Sequence, residues 1–131
     1  MSGLSPCGRA FNQTRHVYLA TELALADTHW TRLRGLLGAS GREFRDGRGL
    51  WITPCRGVHT LAMRFAIDVV YLDREGTVVH LEQNLPPWRF APVRLQAASV
   101  IELPCQKVAS TETAVGDKIV ITLSNSGVPS A

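Results

Sequence analysis

Between Gly49 and Asp73 the chain reads GLWITPCRGVHTLAMRFAIDVVYLD, a polar run holding Cys55, Arg56, His59, Thr60 and Arg64 between two apolar, strand-like segments, with Asp68 inside the second. These residue types can grip an anion, move a proton or coordinate a metal. A neutral imidazole at His59 suits a general base, and Thr60 suits the placing of a water or substrate oxygen. Arg64 offers a bidentate fork to carboxylate or phosphate. Cys55 and His59 form C-x3-H, and Cys105 would complete a three-ligand set, but structural zinc is usually announced by paired ligands at short spacing and a second pair is missing. No metal and no cofactor is expected. No GxSxG elbow accompanies His59, and the turns at Gly35, Gly38 and Gly116 match neither a phosphate loop nor a dinucleotide fingerprint.

Asp68 alternates with Val70 and Leu72, so a core-facing side of this strand buries a carboxylate, and a buried carboxylate needs a partner. Arg64, four residues earlier, and Arg32 and Arg34 are the natural ones. Two roles follow. One is a structural clamp tying the RLRGLLG turn to the sheet; the other is an anion pocket with Arg as ligand and Asp68 as orienter. The candidate binding set is therefore Arg34, His59, Thr60, Arg64 and Asp68, with His59 the candidate for any catalysis.

The elements that must hold these groups are short. A chain of 131 residues with 45% hydrophobic residues suffices for one core, not two. Val17, Leu19, Leu23 and Leu25 nearly alternate, which suggests an opening strand. Asp27 or Thr28 can cap a short helix carrying Trp30, Leu33 and Leu37 on one face, stopped at Gly38. Residues 39–48 read as an exposed loop, Leu50 to Thr53 as a strand ended by Pro54. Ile67 to Leu72 and Thr77 to Leu81 form a hairpin across Asp73-Arg74-Glu75-Gly76. The prolines of 85–92 take the chain out of the sheet. Val100 to Leu103 and Ile119 to Leu123 are further strands, with one helical turn within Gln106 to Thr111. The pattern predicts an α+β, mainly β, single small domain: a strongly bent sheet or partly closed barrel of about six or seven short strands and one or two short helices. Its limits are a flexible segment 1–14, the β-rich domain 15–123 and a flexible tail 124–131.

Twelve Arg and two Lys against 11 acidic residues leave a net charge of +3, with the arginines scattered and no basic arm for nucleic acid. Pro86-Pro87-Trp88-Arg89-Phe90 interleaves rings and cations, which suits stacking on a base or, more simply, a hydrophobic plug over an open barrel end. Residues 1–14 lack the apolar core of an export signal, and no run of about 18 apolar residues occurs, which predicts a cytoplasmic chain without a membrane span. Three cysteines in such a chain read as thiols, with Cys55 and Cys105 packed near strand ends.

Several segments together carry a resemblance: Arg32-Leu33-Arg34-Gly35-Leu36-Leu37-Gly38, Gly49-Leu50-Trp51-Ile52, His59-Thr60-Leu61-Ala62-Met63-Arg64, Ile67 to Gly76, Val100-Ile101-Glu102-Leu103-Pro104 and Val115-Gly116-Asp117. Over roughly residues 15 to 123 the chain resembles the domain-of-unknown-function family numbered 192, small prokaryotic domains. The resemblance implies a compact β-rich α+β fold without an established biochemical role. The expected function is non-catalytic binding of a small anionic ligand or a protein partner through the candidate set. The alternatives are a small hydrolase or transferase using His59 with Arg and Asp support, and, last, single-stranded nucleic-acid binding.

Overall fold

A computed structural model describes residues 8–26, 45–57, 65–87 and 89–123. Among them the elements are β1 (Gly8–Asn12), β2 (Val17–Ala26), β3 (Arg48–Ile52), β4 (Ile67–Leu72), β5 (Val78–Leu85), β6 (Ser99–Pro104), the short helix α1 (Lys107–Thr111) and β7 (Ile119–Leu123). They form one sheet in the order β5-β4-β6-β3-β2-β1-β7. Pairing is antiparallel throughout except between β2 and β3, which run parallel with Ala24 opposite Leu50 and Ala26 opposite Ile52.

The sheet curls until its edges meet. Thr77 bridges to Lys118, the Val78 N–H donates to the Asp117 carbonyl, and the Ile119 N–H donates to the Gly76 carbonyl. The beginnings of β5 and β7 therefore join, and the sheet is a half-barrel with an inside and an outside. Strand alternation sorts the core between them. Val70, Leu72, Ile101, Leu103, Leu19 and Leu23 fill the inside together with Val78, Ile119 and Val108 of α1. Leu50, Ile52, Ile67, Val69, Tyr71 and Val100 face out, where Ala91 and Ala97 of the segment after β5 cover them. This double coverage is why all six residues of β4 are buried.

Local chemistry explains the joints. The Asp73 carboxylate accepts the amides of Glu75 and Thr77, and Gly76 takes φ +87°, so the expected hairpin forms where Asp and Gly permit it. Gly49 lies between β2 and β6, where a Cβ would come within 2.9 Å of the Ala20 Cβ.

Several expectations need comment. The flexible segment placed over residues 1–14 contains a strand: Gly8–Asn12 pairs on both sides, with β2 and with β7. Its mixed polar sequence concealed this, because both neighbours lie elsewhere in the chain. Phe90, expected in a plug, is 73% exposed, and Cys105 is exposed rather than packed. The helix expected from Asp27 or Thr28 to Gly38, Trp88, and the tail 124–131 lie outside the described residues. No helix among the described residues is long and apolar enough to cross a membrane.

Candidate functional site

Asp68 is fully buried, as its alternation with Val70 and Leu72 predicts. Oδ1 accepts the Asn84 N–H and Oδ2 the Val108 N–H, each at 2.8 Å, and among the described residues no guanidinium engages the carboxylate. Asn84 sits at φ +53° near the end of β5, and Val108 lies in the first turn of α1, which has no cap from its own side chains. Each Asp68 oxygen accepts a backbone donor, which ties β4 to β5 and α1, while the arginines expected to pair with it lie outside the described residues. Arg34, His59, Thr60 and Arg64 lie outside the described residues, as do Arg32 and the rest of the RLRGLLG turn.

A second group of polar side chains stands on the opposite, outer face. Register pairs place Glu82 beside Val69 and Val69 beside Glu102, and Glu102 beside Leu50, so two carboxylates flank one valine in a row across β5, β4, β6 and β3. Glu102 is buried. In the next row Tyr71 neighbours His80, whose ring meets it edge-on at 4.9 Å between centroids. His80 Nε2 lies 2.6 Å from Glu82 Oε2, and the Tyr71 hydroxyl donates to the Pro92 carbonyl at 2.7 Å. Burial, with the Glu82 charge adding to it, pushes the Tyr71 phenol well above its usual range, and Arg94 offsets this only in part. Tyr71 therefore stays a hydrogen-bond donor at neutral pH. The arrangement orients an imidazole by a carboxylate, which fixes the ring.

None of Tyr71, His80, Glu82 or Glu102 belonged to the candidate set. The signals existed: His80 and Glu82 at i, i+2 in one strand, and a single charge inside Val100-Ile101-Glu102-Leu103. Each reads as an ordinary strand residue until the register puts them on one face.

The sheet also matches known proteins. The model of the family DUF192, described as an uncharacterized ACR, matches residues 10–121. A UPF0127 protein of Pyrococcus furiosus is 31% identical over 115 residues, covering 82% of this chain and 93% of that protein. The chain belongs to the DUF192 family. Another relative, a UPF0127 protein of Thermococcus sibiricus, is 28% identical over 113 residues, covering 82% of this chain and 71% of its own length. Two crystal structures share the fold. A Novosphingobium aromaticivorans protein of unknown function superposes with a TM-score of 0.69 at 16% identity, covering 87% of this chain and 83% of its own. A Sinorhizobium meliloti protein whose name proposes a role in transcription regulation gives 0.74 at 17% identity, covering 92% and 98%. At these identities the two structures speak to the fold, and family membership carries no assigned activity.

Proposed function

We propose that this member of the family is a non-catalytic binding domain that takes a small anionic ligand, or an anionic group on a protein partner, through Arg34, His59, Thr60 and Arg64. The observation that supports the reading is the parallel β2/β3 pair. Ala26 and Ile52 are register partners at the ends of these strands. The chain therefore continues from neighbouring positions, toward Arg34 after β2 and toward His59, Thr60 and Arg64 after β3. Binding groups concentrate on segments that a rigid scaffold positions. Asp68, the fifth residue of the candidate set, also holds β4 against α1.

Phosphate or sulfate should raise the thermal midpoint, since a ligand of the native state stabilises it by mass action, and added chloride should shrink the shift. Arg64→Ala should abolish the response with the fold intact, and His59→Ala should weaken it less, because a neutral imidazole supplies one hydrogen bond and little charge. A midpoint that no anion moves would sink the reading. Turnover of an ester or phosphate substrate that disappears in His59→Ala would replace it with a hydrolase.

A further inference from the structure

An open depression of about 810 Å³ lies where β3 and β4 end, bounded by residues 53–56, 73–75 and 95–98. Backbone hydrogen bonds hold its floor: the Cys55 N–H donates to the Ala98 carbonyl, and the Ala98 N–H donates to the Leu72 carbonyl. Two guanidinium groups line it. Among the described residues Arg56 engages only Nε, on the Ala97 carbonyl at 3.3 Å, and Arg74 has no hydrogen-bond or ion-pair partner. Both keep donor forks that suit a carboxylate. Leu95, also in the lining, is 79% exposed, an apolar surface left in water beside those cations.

The charges on the rim decide the ligand class. Asp73 and Glu75 balance Arg56 and Arg74, so the depression has no net field for a polyanion. The Asp73 Oδ1 is already taken by the amides of Glu75 and Thr77, which keeps that carboxylate turned into its own hairpin. A single negative head attached to a hydrocarbon body matches two arginines in one lining and one bare leucine. We propose that this depression binds a small monocarboxylate with a short apolar chain, the carboxylate on Arg56 and Arg74 and the chain against Leu95. The proposal uses none of the residues invoked for the anion response above, so the two stand or fall separately.

The test is a titration of the whole chain followed by amide NMR, with acetate, butyrate and hexanoate as probes. Shift changes should centre on Arg56, Arg74 and the amides of 95–98, and affinity should rise along the series. Arg74→Ala, a change at an exposed site, should weaken hexanoate at least about tenfold, and Leu95→Ser should flatten the gain from acetate to hexanoate. Hexanoate binding should persist in Arg64→Ala, and the phosphate response should persist in Arg74→Ala. Shifts centred elsewhere, an unchanged hexanoate affinity in Arg74→Ala, or pyrophosphate competing as well as hexanoate would each overturn the assignment.

Discussion

Asp68 and Asp117 are both buried carboxylates that tie remote stretches of chain, and they do it with different partners. Asp68 holds two backbone amides, from Asn84 and Val108. Asp117 Oδ2 takes the Asn12 amide at 3.0 Å, the Arg15 Nε at 2.9 Å and the Ala114 N–H at 3.0 Å. It thereby joins the turn after β1 to the turn before β7, and Asn12 extends the network to Thr113. One junction is built on neutral donors in the core. The other reaches a cation whose side chain is 38% exposed. The difference teaches that a buried acid in this fold is a joint first, and that of the two it is the Asp117 joint that reaches the surface.

The strongest way to break the comparison is Asp68→Ala. It leaves two amides without acceptors, one of them at the start of α1, and should cost about 2–4 kcal/mol in chemical denaturation. An unchanged midpoint would mean that water replaces the carboxylate and that the junction carries no stability.

Asp117→Ala should cost less, about 1–3 kcal/mol, because Arg15 can return to solvent. Its pH signature is the sharper test. Burial alone would raise the Asp117 carboxyl, but the hydrogen bonds from Arg15, Asn12 and Ala114 outweigh it and hold the group below its ordinary value. The unfolded chain therefore takes up this proton first as pH falls. The stability Asp117 contributes is present above the unfolded value near 3.9 and is lost as pH drops through the lower folded value. The native chain should show a steeper acid limb than Asp117→Ala, and equal limbs would refute the assignment.

The smallest expected effect belongs to Arg15→Ala. Removing the cation should shift the acid limb toward higher pH and make it less sensitive to added salt, since the remaining bonds to Asp117 come from neutral groups. Midpoints measured in low and high salt would show it, and Asp68→Ala in the same series should leave the salt dependence as it is in the native chain.

The sequence made the DREG hairpin legible because its turn and both strands are contiguous, and it made the burial of Asp68 legible through alternation with Val70 and Leu72. The partner of Asp68 was hidden, because Val108 lies 40 residues away and the donors are backbone groups that every residue possesses. Strand β1 was missed for a related reason: its composition is bland, and it exists through pairing with β2 and β7. The outer-face group of Tyr71, His80, Glu82 and Glu102 depends on register across β5, β4 and β6, and one strand read alone carries no register.

The pairing of β1 with β7 has a consequence for how the chain is made. Asn12 sits opposite Ile119 and Gly8 opposite Leu123, so the first of the described strands to be synthesised receives its outer neighbour from the last of them. Until then β1 is an open edge, with unpaired backbone donors and acceptors that another nascent chain can take up. The joint between Asp117 and Arg15 is equally late. Synthesis thus leaves β1 unsealed until β7 is made, and β7 is the latch that takes up its free backbone groups.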